Sequence, residues 1–338
     1  MSEITVKAWG GEINAPLQPV EYTLDEPGVS DVDIRVEYCG VCHSDLSVLT
    51  GSFGELPGPV VGGHEAVGRV VRVCSQVKNL EVGQLVGVGW TAGSCMQCHS
   101  CMSGDQQICA TAQPTIIGRH GGFADHLRAS AEWVIPIPDG VDAEKAGPLF
   151  CGGITVFNPL LEFDVKPTDK VGVIGIGGLG HLAIQFLDAW GCHVTAFSTS
   201  DSKEDEAKGM GADDFVNITD DAVLKAIRNQ YDFIISTINV DLNWNRFIAA
   251  LKHKGRLHTL GLTPGHFGPS TGQALIPGQK SVSGSPTGSP ARISTMLDFC
   301  ARHNIEAVTE TLPLTEVNTA LKRLEAGDVR YRFVLDCR

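Results

Sequence analysis

KVGVIGIGGLGHLAIQFLDAWG, residues 170–191, is the stretch on which the fold turns. Its opening, KVGVIGI, is a short apolar run of strand type. Its close, GLGHLAIQFLDAWG, carries a helical period and stops at glycine. Between them Gly175, Gly177 and Gly180 form G-x-G-x-x-G, with Gly178 and Leu179 filling the turn. In such a strand–turn–helix the first glycine makes the tight turn. The second lets a pyrophosphate approach the backbone, and the third lets the helix pack closely on the strand. N–H groups at the helix start then face the phosphates. A purely structural turn is the alternative, and the flanking strand and helix argue against it. The reading is a dinucleotide site on Gly175, Gly177, Gly178, Leu179 and Gly180.

Downstream the pattern repeats. CHVTAFS, DDFVN, YDFIIST, RLHTLGL and KSVSGS read as strands, with SKEDEAKGMG, AVLKAIRN and WNRFIAALKHKG as helices between them. This alternation predicts a parallel sheet with helices on both faces. Upstream, the first 150 residues are rich in glycine, proline and β-branched side chains. DIRVEYCGV, HEAVGRVVRV, QLVGVGW and EWVIPIP read there as short strands. The Gly/Pro-rich segment 263–272 is a loop without a recognisable motif. SPTGSP, from Ser285 to Pro290, marks a boundary, followed by a helix, ARISTMLDFCARHN, and a closing strand, YRFVLD. The fold class is therefore α/β: a Rossmann-type doubly wound sheet over 153–285, beside a mostly β unit over 1–152. Pattern alone leaves the place of 286–338 open.

The strand CHVTAFS ends at Ser198, followed by Thr199, Ser200 and Lys203. NAD sites commonly carry a carboxylate here for the ribose hydroxyls, whereas hydroxyls and a lysine suit a 2′-phosphate. NADP(H) is the expected cofactor. Asp201 is the competing residue, and a plain helix cap is the bland alternative for the serines.

Two groups of metal-ligand residues stand out. Four of the 11 cysteines, Cys95, Cys98, Cys101 and Cys109, fall within one short loop. Four thiolates can close a tetrahedral zinc shell and staple a loop that has little core of its own. The same ligands could hold an iron–sulfur centre, and His99 is expected to face solvent. The second group is dispersed: Cys42 in GVCHSD, His64 in GGHEAVG and Cys151 in LFCGGIT. Cys/His ligation that leaves one position open suits catalytic zinc, although spacing alone does not assemble these three. Cys39, Cys74, Cys192, Cys300 and Cys337 read as ordinary small core residues or spares.

Composition narrows the function. The 338 residues are 43% hydrophobic and 19% charged, with a net charge of −13. That balance fits a globular protein and offers no basic surface for nucleic acid. The richest basic run, Arg323 to Arg332, also holds Glu325 and Asp328 and reads as a solvated face. The start carries no secretory segment. The most apolar stretch, Val171 to Leu187, is broken by glycines and His181, so no membrane span is expected. The default location is the cytoplasm.

Taken together, GVCHSD, GGHEAVG, CxxCxxCxxxxxxxC, LFCGGITVFNPL, GIGGLGHLAIQF and LDFCARHNI resemble the medium-chain zinc-dependent alcohol dehydrogenases, in particular their cinnamyl-alcohol-dehydrogenase-like aldehyde reductases. The resemblance covers nearly the whole chain. It implies a GroES-like catalytic domain to which 286–338 returns, and a structural zinc in the 95–109 lobe. It also implies a catalytic zinc on Cys42, His64 and Cys151, with Glu65 able to join the shell. Asp45 would orient the zinc histidine, and His43 and Thr155 would lie near the cofactor. Ser44 would relay the substrate proton. Many relatives end that relay at a histidine where this chain has Ser47, which cannot act as a base near neutral pH. Gly152 replaces a frequent alanine. Trp90 and Phe53 are candidates for a substrate pocket or for core. The implied activity is reversible hydride transfer between NADP(H) and a primary alcohol or aldehyde, with two Zn²⁺ per chain, in a homodimer. A zinc-free quinone or enone reductase of the same fold is one rival. A non-catalytic NADP(H) sensor is the other.

Overall fold

Burial along most of Asp31–Val41 makes it the spine of the first unit: Val32, Ile34, Val36, Cys39 and Val41 are among its buried residues, and Arg35 is exposed. In the computed structural model, which describes residues 4–261 and 271–338, this strand lies within a seven-stranded sheet. It pairs antiparallel with Glu65–Val73 on one side and with Arg332–Asp336 on the other. Thr309–Pro313 extends the sheet beyond Arg332–Asp336, and Leu85–Val88 and Ile135–Pro136 extend it beyond Glu65–Val73. His126–Ser130 also pairs with the spine. The C-terminal segment thus supplies a strand next to the spine, and it belongs to the same compact unit, Met1–Ile154 with Thr287–Arg338. Val32, Val36, Val61, Phe123, Leu127, Phe333 and Leu335 are among its core residues. EWVIPIP is less regular than a strand: Ala131–Trp133 is a 3-10 turn and only Ile135–Pro136 pairs.

The second unit is Thr155–Pro286. Its strands are β1 (Lys170–Ile174), β2 (His193–Ser198), β3 (Asp214–Asn217), β4 (Tyr231–Ser236), β5 (Leu251–Thr259) and β6 (Ser281–Gly284). They are all parallel, in the order β3-β2-β1-β4-β5-β6. That order reverses direction at β1, the switch point where dinucleotides seat in doubly wound sheets. β1 is buried from Val171 to Ile174, and the helix Gly180–Trp190 that follows buries Leu182, Ala183, Ile184, Phe186 and Leu187. The helix ends at Gly191 with φ 97, a left-handed cap that a Cβ would strain.

One element departs from the expectation. WNRFIAALKHKG is not a single helix: the helix is Trp244–Ala250, and Leu251 already begins β5. Phe247, Ile248 and Leu251 are all buried, so the apolar spacing fits either element. Lys254, at φ 64, turns the backbone where a helix would have to continue. Of the 263–272 loop, residues 263–270 lie outside the described residues, and Thr271 and Gly272 open a short helix, Thr271–Leu275. Among the described residues, no helix is long and apolar enough to cross a membrane.

Candidate metal centre and cofactor loop

Register explains how residues distant in the chain meet. The spine ends at Val41, and Cys42 then caps the helix His43–Leu49. Gly40 pairs with Glu65, and Val41 pairs with Phe333. Cys42, the His64–Glu65 pair and Arg332 are therefore delivered to one end of three adjacent strands. Cys151 arrives from the turn before the helix Gly152–Glu162. The donor atoms of Cys42, His64, Glu65 and Cys151 all lie within 4.8 Å of one another, and all four residues are buried.

Asp45 organises this cluster. As the third residue of its helix it closes a capping box, accepting from the Cys42 backbone N–H at 2.9 Å. Its other oxygen accepts from the Gly63 N–H at 2.7 Å and lies 2.9 Å from His64 Nδ1. The carboxylate is fully buried, and both of its oxygens accept from backbone N–H groups, which can only donate. The proton of the His64–Asp45 contact thus sits on His64 Nδ1, and Nε2 is turned toward the thiols. Nε2 has no hydrogen-bond partner.

The donors fit zinc. Sulfurs ~2.3 Å from a tetrahedral zinc lie ~3.8 Å apart. Cys42 and Cys151 have their sulfurs 3.9 Å apart, too far for a disulfide and close to that edge. A buried orphan imidazole nitrogen beside two thiols is a costly arrangement unless a cation completes it.

Glu65 is held by Arg332, a partner that the sequence reading missed. Arg332 was expected on a solvated face. It is instead buried at 3% exposure, and its guanidinium bonds Glu65 Oε1. An arginine inside a strand of buried neighbours needs a carboxylate, and this was the available signal. Burial pushes the Glu65 carboxyl up to about 7, against the pull of Arg332. Glu65 Oε2 has no hydrogen-bond partner, and a Glu65 carboxylate oxygen lies among the metal-ligand atoms. Gly40 makes the room: a Cβ there would lie 2.0 Å from Glu65 Oε2. The rest of that basic run is also paired, with Arg323 bonded to Glu310 and Asp328.

Around the cluster, Ser44 Oγ is 3.8 Å from Cys42 Sγ. Trp90 sets its ring edge-on to His64, with centroids 5.1 Å apart, and Phe53 packs on Trp90 from the exposed side. Ser47 is half-buried on the same helix. His43 is exposed beside Cys42 and is not one of the clustered donors.

Cys95, Cys98, Cys101 and Cys109 form the second cluster. Three sulfur separations, Cys95–Cys101 at 3.9 Å, Cys98–Cys109 at 3.8 Å and Cys95–Cys109 at 3.6 Å, again match a zinc tetrahedron. His99 is exposed and outside the set, so the shell is closed with sulfur alone. No disulfide links any of the 11 cysteines.

The glycine loop in the second unit fits a dinucleotide on the same kind of test. Gly175 has φ 91, and a Cβ on Gly180 would lie 1.8 Å from the Gly175 carbonyl. A Cβ on Gly177 would meet nothing within 4 Å, so that glycine keeps open space over the loop. Gly178 and Leu179 complete the turn before the helix. Ser198, buried at the end of β2, is followed by exposed Thr199 and Ser200. Lys203 Nζ reaches back to the Ile176 carbonyl at 2.7 Å. Thr155 is buried in the helix Gly152–Glu162.

Residues 28–139 match the alcohol dehydrogenase GroES-like domain, and 178–302 match the zinc-binding dehydrogenase domain. The aldehyde reductase AdhA of Synechocystis sp. is 48% identical over 331 residues, 98% of each chain. A cinnamyl alcohol dehydrogenase of Sorghum bicolor superposes with a TM-score of 0.93 at 37% identity, covering 99% of this chain and 98% of that one. The Helicobacter pylori enzyme CAD, solved with NADP(H), gives 0.90 at 29% identity over 99% of each chain. With one four-thiolate cluster, one mixed Cys/His/Glu cluster and a Rossmann sheet, the chain belongs to the medium-chain zinc-dependent dehydrogenase/reductase family, and is related to its cinnamyl alcohol dehydrogenases and aldehyde reductases.

Proposed function

We propose that this oxidoreductase is an NADP(H)-dependent alcohol dehydrogenase that works as an aldehyde reductase on primary alcohols and aldehydes. The observation that carries the reading is the mixed cluster. Cys42, His64 and Cys151 supply three ligand atoms, and His64 Nε2 is aimed by Asp45 and left without a protein partner. Three such ligands leave one position for a substrate oxygen. Zinc and nicotinamide supply the chemistry when bound, the metal by polarising that oxygen and the cofactor by exchanging hydride with the adjoining carbon.

The chain's own groups do the rest. Asp45 keeps the imidazole in one tautomer and orientation. Glu65, tied by Arg332 at one oxygen, keeps the other beside the ligands, where it can take a place in the shell as substrate and product exchange. Ser44, next to Cys42, holds the hydroxyl that gives or takes the substrate proton. Ser47 cannot accept that proton as an imidazole would, so water carries it onward. Trp90, edge-on to His64, walls the approach and favours flat, apolar substrates. The cofactor choice rests on the hydroxyls of Ser198, Thr199 and Ser200 with Lys203, and is supported by the NADP(H) held in the Helicobacter pylori relative.

The reading is tested by removing the metal with a chelator and restoring it. NADPH oxidation driven by an aldehyde should stop and return with Zn²⁺. Turnover that survives complete removal of zinc argues for the zinc-free reductase class. No turnover in any metal state argues for a sensor.

A further inference from the structure

A carboxylate just beyond the second strand of a doubly wound sheet accepts bonds from ribose hydroxyls and repels a 2′-phosphate. Asp201 is the one carboxylate between Ser198 and Lys203. The structure shows it already engaged from the neighbouring strand. Asn217 Nδ2 donates to Asp201 Oδ1 at 2.8 Å. Asn217 is the last residue of β3 and pairs in register with Ser198, the last residue of β2, so both stand at the carboxyl ends of adjacent strands.

The direction of the Asn217 amide is settled by Thr219. The Thr219 backbone N–H donates to Asn217 Oδ1 at 3.0 Å, and its hydroxyl donates to the same oxygen at 2.7 Å. A backbone N–H can only donate, so the amide oxygen must face Thr219 and the NH₂ must face the carboxylate. Ser200 Oγ caps the Ser202 N–H at 3.3 Å, and Lys203 Nζ holds the Ile176 carbonyl in the glycine loop.

We infer that Asn217 is a specificity-determining positioning residue. It holds Asp201 toward β3 and away from the ribose, and so leaves Ser198, Thr199, Ser200 and Lys203 to receive a 2′-phosphate. The inference rests on the NADP(H) reading above. Without the Asn217 amide, the Asp201 carboxylate is released, accepts the ribose hydroxyls of NAD⁺ and repels the phosphate of NADP⁺. Asp201 alone does not mark this chain as NAD-dependent, because its carboxylate is held by its neighbour.

Equilibrium binding of NADP⁺ and NAD⁺ by calorimetry tests this without reference to turnover. The proteins are the zinc-loaded wild type, Asn217→Ala, and Asn217→Ala with Asp201→Asn, each with its melting temperature recorded. Wild type should bind NADP⁺ more tightly. Asn217→Ala should shift the NADP⁺/NAD⁺ affinity ratio toward NAD⁺ by about tenfold, the scale of one charge-assisted hydrogen bond gained or lost. The double variant should recover most of that shift. A wild type that prefers NAD⁺ overturns the cofactor reading itself. A wild type that prefers NADP⁺, with Asn217→Ala unchanged in ratio, overturns only the role of Asn217. A shift that Asp201→Asn does not reverse shows that Asn217 acts by some route other than this carboxylate, and equally overturns the inference.

Discussion

Asp45 and Arg332 show how much of the metal cluster depends on residues that are not sulfur ligands. Asp45 spends one carboxylate on a backbone N–H of the Cys42 segment, a backbone N–H of the His64 segment and the histidine ring. Arg332 neutralises Glu65 in a place where neither charge reaches water. Removing one partner of such a pair leaves the other buried and uncompensated. Arg332→Ala should therefore cost about 3–5 kcal/mol in urea unfolding at fixed zinc. Adding Glu65→Gln to that variant should recover part of the loss. A cost near the roughly 0.5 kcal/mol of an ordinary surface change would contradict the buried pairing. At this scale the sequence was readable where chemistry is local. The four lobe cysteines and GIGGLG are compact in the chain, and each residue type is demanded by one physical role. Cys42, His64 and Cys151 are separated by long stretches, and only resemblance joined them before the strand register did. Arg332 was misread because charge counting along a run does not see that the run ends in a strand buried at successive positions.

Each metal cluster belongs to a different kind of element, and this separates their consequences. The 95–109 lobe has only a four-residue helix and a 3-10 turn, with Met102 and Ile108 exposed, so its shape leans on the closed thiolate shell. Cys98→Ser should lower the melting temperature at matched zinc. Cys42→Ser, whose neighbours are held by the sheet and the capping box, should abolish turnover with a smaller loss of stability. Equal destabilisation in the two variants would count against this division. In the second unit β5 carries His258, buried between Phe163 and Phe233, with its ring nitrogens 2.9 and 3.0 Å from the hydroxyls of Ser283 and Ser285. Burial, with Arg256 beside it, lowers its pKa from 6.5 to about 4. The unfolded chain takes up this proton below about pH 6.5 and the folded chain does not, so stability falls as pH drops from 6.5 toward 4. The melting temperature advantage of wild type over His258→Gln should shrink between pH 7 and pH 5. An advantage independent of pH would mean that burial does not shift the ring's titration from that of the unfolded chain. Element boundaries were the least legible part of the sequence. WNRFIAALKHKG has apolar residues at positions that serve a helix or a strand, and the left-handed residue is Lys254, not the Gly255 that follows it.

Across the whole molecule the fold was legible because two different periodicities divide the chain. Antiparallel strands up to Ile154 give way to parallel strands, buried along the central Lys170–Ile174, His193–Ser198 and Tyr231–Ser236, that alternate with helices from Thr155 to Pro286. The return of 287–338 to the first unit had no periodic signature, since a strand such as YRFVLD fits either sheet by pattern. Substrate range is written in shape rather than in motif, and Trp90 and Phe53 became interpretable only once Trp90 was placed against His64 and Phe53 against Trp90. The most direct test of the account is a single kinetic panel on zinc-loaded protein. Nicotinamide absorbance is followed with NADPH and with NADH, against cinnamaldehyde, benzaldehyde and a short aliphatic aldehyde. The account predicts turnover of these aldehydes with a clear preference for NADPH. Equal or better turnover with NADH would contradict the cofactor assignment, and no turnover with either cofactor would contradict the assignment as an aldehyde reductase.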